Sequence, residues 1–206
     1  LERVRAICEY VGGGFGSKIY IYPEEIVCLW ASKRTGVPVK WVADRTESFM
    51  CDAHGRDHVS TIEMAFDKDH RITGLKVDTI ANLGAYMSLF SSCVPTYLYA
   101  TLLSGQYNIP AIHANVRTVY TNTAPVDAYR GAGRPEACYL LERTIETAAR
   151  ELGVDPAELR RKNFITQFPH QTPVIMNYDA GDFGASLDAA MKAADYAGFP
   201  KRKAEA

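Results

Sequence analysis

The stretch VGGGFGSK, Val11 to Lys18, decides how this chain is read. Glycine loses more backbone freedom on folding than any other residue, so three in succession make a poor strand interior and a worse helix. Two arrangements would justify them. Residues without Cβ can turn successive N–H groups toward one point and let a ligand approach the main chain, which suits an oxyanion or a phosphate. Alternatively, the run is a bulge where two backbones cross. The spacing excludes two common nucleotide motifs. A Walker loop needs Gly immediately before Lys and Ser or Thr after it, whereas Ser17 precedes Lys18 and Ile19 follows it. No choice among Gly12, Gly13, Gly14 and Gly16 gives GxGxxG.

Outward from this loop, Val4, Ala6, Cys8 and Tyr10 alternate with Arg5, Ile7 and Glu9, which predicts a strand from Val4 to Val11. On the other side Pro23, Glu24 and Glu25 suit the first turn of a helix that ends at Gly36. VPVKWV (37–42) is a second strand candidate. VSTIEMAF (59–66) and ITGLKVDTI (72–80) flank DKDHR and predict an antiparallel hairpin. The apolar, aromatic stretch from Ser88 to Leu103 reads as partly helical around Pro95, and VRTVYTN (116–122) as a strand. Pro135 suits an N1 position, with Cys138, Leu141, Ile145 and Ala148 following at helical spacing toward Arg150. Asp155 as N-cap, Pro156 at N1 and Glu158 at N3 open another helix, and SLDAAMKAAD (186–195) is a last amphipathic one. With no internal repeat and no linker, the pattern predicts one α+β unit.

Composition narrows the partners. The 206 residues carry 23 basic and 24 acidic side chains, a net charge of -1, so no overall field favours nucleic acid or an anionic membrane surface. No apolar run has the length of a bilayer span, and the first residues lack the pattern of a signal peptide. Cys8, Cys28, Cys51, Cys93 and Cys138 are odd in number and include no CxxC pair, which argues against a disulfide framework, a zinc site or an iron-sulfur nest. These features predict a soluble protein in a reducing, cytoplasmic setting. The leucine at position 1 predicts a chain cut from something longer.

A second loop strengthens the ligand reading of the first. AYRGAGRPEA, Ala128 to Ala137, places Arg130 and Arg134 around Gly131, Ala132 and Gly133, directly before the predicted helix. That order suits an anion or a polarised oxygen, although a capped helix start with two solvated arginines would look the same. His54 and His58 are four apart, but Gly55 between them and the strand pattern after them argue against a shared metal. No Ser-His-Asp or Cys-His set and no pair of carboxylates can be assembled from spacing.

At these two loops the sequence resembles the molybdenum-binding large subunit of the xanthine oxidase, or molybdenum hydroxylase, family, in the branch of aerobic carbon monoxide dehydrogenase large-subunit homologues. GGGFG (12–16) looks like that family's molybdopterin loop and AYRGAGR (128–134) like its active-site loop. GVPVKWVADRTESF (36–49), DPAELRRKNFI (155–165) and YDAGDF (178–183) look like its intervening and C-terminal segments, so the likeness runs along nearly the whole chain. The resemblance implies an α+β molybdopterin-binding domain of mixed sheets with packed helices, residues 1–206 being the first such domain of a longer large subunit. It implies molybdenum held by a pterin dithiolene, in the cytosine dinucleotide form, with no metal ligand from the protein. Gly13, Gly14, Phe15 and Gly16 would offer main-chain donors to the cofactor, Arg130 would orient groups near the metal as the catalytic-site residue, and Gly131, Ala132 and Gly133 would border cofactor and substrate.

The implied reaction is hydroxylation of an aldehyde or nitrogen heterocycle with water, electrons leaving through 2Fe-2S and FAD centres on a small and a medium partner subunit. The remainder of the large subunit is the other implied partner. In the family the catalytic glutamate base lies far beyond the stretch that this chain matches, so the chain alone is expected to be inactive and to act as a cofactor-binding or docking module. Purine-oxidising members carry glutamate after the loop lysine, where this chain has Ile19, and Leu98 stands where a purine-contacting arginine is expected. Carbon monoxide dehydrogenases proper read Ala-Tyr-Arg-Cys-Ser-Phe-Arg and hold copper on that cysteine, where this chain has Gly131. The implied substrate is a larger organic molecule, with a carbon monoxide dehydrogenase large subunit as the alternative reading. Valine at Gly14 or Gly16 is expected to remove cofactor while leaving the fold.

Overall fold

The computed structural model describes residues 5–206. The predicted hairpin is its centre. β1 (His58–Phe66) pairs antiparallel with β2 (Ile72–Asn82), His58 opposite Ala81 and Phe66 opposite Ile72. The DKDHR turn closes because the Asp67 carboxylate accepts from the N–H groups of Asp69 and Arg71, each at 2.9 Å. On the other edge of β2, β3 (Ile112–Val119) runs parallel, Leu75 opposite Ile112 and Asn82 opposite Val119. A parallel neighbour requires a crossover. Residues 83–111 supply it, and they contain the short helix α3 (Tyr97–Ala100).

One face of β2 buries Leu75, Val77, Thr79 and Ala81. Against it lies α4 (Arg134–Leu152), whose buried stripe is Ala137, Leu141, Ile145 and Ala149. Tyr99, Leu103, Tyr107 and Ile109 from the crossover fill the space between them, so the connection is itself core. α5 (Pro156–Asn163) begins as its sequence predicts: the Asp155 carboxylate accepts from Ala157 N–H at 2.8 Å and Glu158 N–H at 3.1 Å. Asn163 ties α5 to the hairpin, donating to the carbonyls of His70 and Leu159 at 3.0 and 2.9 Å and accepting from Ile72 N–H at 2.8 Å. A two-residue ladder, β4 (His170–Gln171) with β5 (Asn177–Tyr178), precedes α6 (Phe183–Ala193). The architecture is the expected α+β class, small mixed sheets with packed helices.

The N-terminal part differs from expectation. Val4 lies outside the described residues, Arg5 to Val11 form no strand, and neither does 37–42. An alternating pattern becomes a strand only when a neighbour accepts its hydrogen bonds, and the described residues offer neither segment a ladder. α1 (Pro23–Thr35) is as predicted, closed by Gly36 at φ 75°, but none of its residues is buried. α2 (Arg45–Cys51) was not expected; Asp44 and Glu47 build a reciprocal cap, each side chain accepting from the other's N–H at 2.8 Å.

In α4 the first helical residue is Arg134 and Pro135 is second; of the residues expected at helical spacing Leu141 and Ile145 are buried, while Cys138 is exposed and Ala148 half-buried, Ala137 and Ala149 completing the stripe. β3 starts four residues earlier than the predicted Val116. α6 starts at Phe183, because the Asp182 carboxylate caps Ala185 N–H at 2.8 Å. A 3-10 turn (Tyr196–Gly198) and α7 (Phe199–Glu205) complete the chain without having been foreseen. Among the described residues no helix is long and apolar enough to cross a membrane.

Candidate cofactor site

The glycine run is a turn rather than the end of a strand. Gly12, Gly13, Phe15 and Gly16 all have positive φ, at 70°, 130°, 50° and 96°, and Ile19 N–H donates to the Gly16 carbonyl at 3.1 Å. Ser17 Oγ donates to the Gly14 carbonyl at 3.3 Å, and Lys18 Nζ to that of Val11. Among the described residues the N–H groups of Gly12 to Gly16 meet no acceptor. Such a strip of main-chain donors is what an oxyanion-rich ligand needs.

One of the two arrangements open from the sequence, the crossing of backbones, occurs in this loop. At Gly16 two backbones cross: a Cβ there would run into the Ala128 carbonyl, whose carbon would stand 2.8 Å away. The second loop is thereby laid directly on the first. Tyr20, buried beneath, donates its hydroxyl to the same Ala128 carbonyl, and Tyr22 donates to the Ser17 carbonyl at 2.7 Å. Burial, then the Asp127 charge, push the Tyr20 phenol far above its ordinary value, so it stays a donor. Asp127 fixes the base of the second loop, accepting from Phe90 N–H at 2.9 Å and from the N–H of Ala128.

The second loop turns through Gly131, Ala132 and Gly133 at φ 96°, 40° and 88°, with Ala132 N–H donating to the Tyr129 carbonyl at 2.7 Å. A Cβ on Gly133 would stand 2.7 Å from the Leu98 carbonyl carbon, so Leu98 borders this loop through its main chain. Arg130 places its guanidinium carbon 5.8 Å from the centre of the Phe15 ring. Gly13, Phe15, Gly16 and Arg130, scattered over more than a hundred residues, therefore meet at one crossing.

The two histidines take different structural roles. His54 serves through its main chain, donating to the Pro125 carbonyl at 2.8 Å and accepting from Asp127 N–H at 2.7 Å. His58 opens β1 with its ring edge-on to Tyr99, the centroids 5.0 Å apart, and burial pushes its imidazole below the usual value. No cluster of His, Cys, Asp and Glu suited to a metal exists among the described residues. Sequence reasoning missed Tyr20 and Asp127, which support the loops, because no motif marks them; Arg56, which the sequence leaves open between capping a strand and touching a phosphate, lies against the second loop.

The molybdopterin cofactor-binding domain model matches residues 1–164. The chain belongs to this family. It is 42% identical over 203 residues to the carbon monoxide dehydrogenase large chain of Hydrogenophaga pseudoflava, covering 95% of this chain and 25% of that protein. It is 34% identical over 207 residues to the nicotine 6-hydroxylase large subunit of Paenarthrobacter nicotinovorans, covering 100% of this chain and 25% of that one. The crystal structure of quinoline 2-oxidoreductase from Pseudomonas putida 86 superposes with a TM-score of 0.89 at 32% identity, over 95% of this chain and 25% of that one. The chain thus spans about a quarter of the length of these molybdenum-hydroxylase relatives. Both loops lie within the matched residues.

Proposed function

We propose that residues 1–206 are the first cofactor-binding domain of a longer molybdenum hydroxylase large subunit, and that the crossing of the two loops holds the cofactor. The observation that carries this is Gly16 seated on Ala128, which joins a strip of N–H groups without acceptors among the described residues to the Arg130 loop. The residues fit such a group. Gly13, Gly14, Phe15 and Gly16 donate main-chain N–H groups to its oxygens, in a cradle that needs no side chain and loses nothing to reorganisation. Arg130 holds a fixed positive charge beside Phe15, and Gly131, Ala132 and Gly133 line the space for cofactor and substrate. When bound, the molybdenum pterin supplies the two-electron chemistry by which oxygen from water is placed on carbon. The cofactor is of the cytosine dinucleotide form, and electrons leave through 2Fe-2S and FAD centres on small and medium subunits.

The substrate is an aldehyde or nitrogen heterocycle. Ile19, half exposed beside the loop, and Leu98 give a purine no charged partner. Gly131 carries no thiolate for Cu(I), and Cys138 is exposed on α4. By itself the chain is a binding and docking module: Ile26, Val27, Leu29 and Trp30 of α1 are all more than half exposed, a surface suited to cover by the rest of a large subunit.

The test is elemental and kinetic analysis of the enzyme that contains this chain, purified with its subunits. One molybdenum per large subunit, no stoichiometric copper, and turnover of an aldehyde or heterocycle far above that of carbon monoxide are expected. Copper at one equivalent with rapid carbon monoxide oxidation would overturn the reading of Gly131.

A further inference from the structure

Arg56 belongs to neither loop yet touches the second at three points. Its backbone is left-handed, φ 62°, a conformation that side chains with a Cβ seldom adopt unless the surroundings hold them there. The surroundings do. Arg56 Nη2 donates to the main-chain carbonyl of Arg130. Its guanidinium carbon lies 5.0 Å from the centre of the Tyr129 ring. Its Nε faces Glu136 Oε2 at 3.8 Å. The Glu136 side chain is only 8% exposed, and Oε2 has no hydrogen-bond partner among the described residues. A carboxylate so buried is costly without a cation beside it, and Arg56 is the cation in place. Tyr129 in turn rests on the main chain of Gly55, where a Cβ would overlap its own.

We propose that Arg56 is a positioning residue of the active-site loop: held by Glu136, its guanidinium clamps the Tyr129–Arg130–Gly131 peptide and so fixes the direction in which Arg130 extends over Phe15. The proposal rests on the assignment of that loop to the cofactor. The carbonyl held by Arg56 fixes the Arg130–Gly131 peptide on one side of the Arg130 Cα and the stacked Tyr129 restrains the chain on the other, and together they hold the backbone from which the Arg130 side chain leaves. The three contacts use three different features of one group, a donor at its tip, its flat face and its inner N–H edge. An ammonium has one donor cluster and no face, so lysine cannot reproduce the set. The clamp acts on the residue beside the chemistry without reaching the chemistry itself.

The experiment uses the whole enzyme carrying Arg56→Ala, Arg56→Lys, Glu136→Gln or, in parallel, Arg130→Ala. For Arg56→Ala we expect molybdenum and pterin contents as in the wild type, kcat lower by about 10- to 100-fold with little change in KM, and faster amide hydrogen exchange in peptides spanning Tyr129 to Gly133. Free guanidinium at millimolar concentration should restore part of both rate and protection, because the Arg56 side chain is 31% exposed and its vacated place is accessible; sodium chloride should not. Arg56→Lys should recover little. Wild-type rate and exchange in Arg56→Ala, with Arg130→Ala impaired, would overturn the clamp alone. Wild-type rates in both would overturn the loop assignment as well. Should Arg56→Ala fail to fold, Glu136→Gln decides: faster exchange over the same peptides supports the clamp, and unchanged exchange overturns it.

Discussion

Gly14 and Gly16 stand two residues apart in one loop, yet a side chain meets different obstacles at each. At Gly16 the backbone is left-handed and the Cβ position is taken by the Ala128 carbonyl group. Alanine there must push the two loops apart and adopt a strained φ, at a cost of about 1–3 kcal/mol. At Gly14 a Cβ would touch only Lys18 Cβ, at 4.0 Å. The expectation that valine at either position spares the fold therefore suits Gly14 alone. Gly14→Ala should leave the thermal midpoint of the enzyme near the wild-type value while lowering its molybdenum and pterin content; Gly16→Ala should lower both. Full cofactor in Gly14→Ala and in Gly14→Val would show that no ligand approaches this main chain. The glycine run was legible as unusual backbone, open to a ligand or to a crossing chain, whereas the partner in the crossing at Gly16 was not, because the carbonyl that demands it lies 112 residues away.

Among the elements, most of those whose signals are local were legible, although the local Asp44–Glu47 cap of α2 was passed over, and those that depend on distant partners were not. The Asp155 cap, the Gly36 stop and the 59–66 and 72–80 hairpin each rest on neighbours within a few residues. The parallel placement of β3 and the burial of the 97–109 crossover depend on the whole sheet. Asn163 is such a distant tie, with two hydrogen bonds that link α5 to the hairpin turn and a third back to Leu159 within α5. Asn163→Ala should destabilise the protein by about 2–3 kcal/mol, because it leaves the Ile72 N–H and the His70 carbonyl without partners; denaturant unfolding would measure it.

A second tie joins α4, α5 and the crossover. Tyr107 donates to Glu142 at 2.7 Å, and Arg160 reaches Glu142 at 2.9 Å and Glu146 at 3.3 Å. Burial, then the Glu142 charge, push the Tyr107 phenol well above its ordinary 10.0, so the folded state keeps a proton that the unfolded chain releases. Its stabilisation is complete below about pH 10 and is lost as pH rises beyond it. Tyr20 is shifted in the same direction. Tyr107→Phe should therefore flatten, without abolishing, the fall in unfolding free energy above about pH 10, and an unaltered slope would refute the assignment.

At the scale of the molecule, the sheet, α4 and α5 share one core, while residues 5–53 contribute little to it beyond Tyr20. Apolar side chains sit on more than one side of α1, and a helix of that kind is found buried in its native setting. The sequence shows the same residues but cannot tell a buried helix from an uncovered one. The two tryptophans of the chain make the point measurable, since Trp30 is 58% and Trp41 42% exposed and both lie in this region. In the chain alone their fluorescence should be red-shifted, as in water, and open to acrylamide quenching. Within the whole large subunit it should move to the blue and become protected, because the surface that α1 presents is the one proposed for docking. Blue-shifted, protected emission from the chain alone would show that α1 already has a cover of its own. Unprotected emission from the assembled enzyme would show that docking uses another face, one that leaves Ile26, Leu29 and Trp30 in solvent.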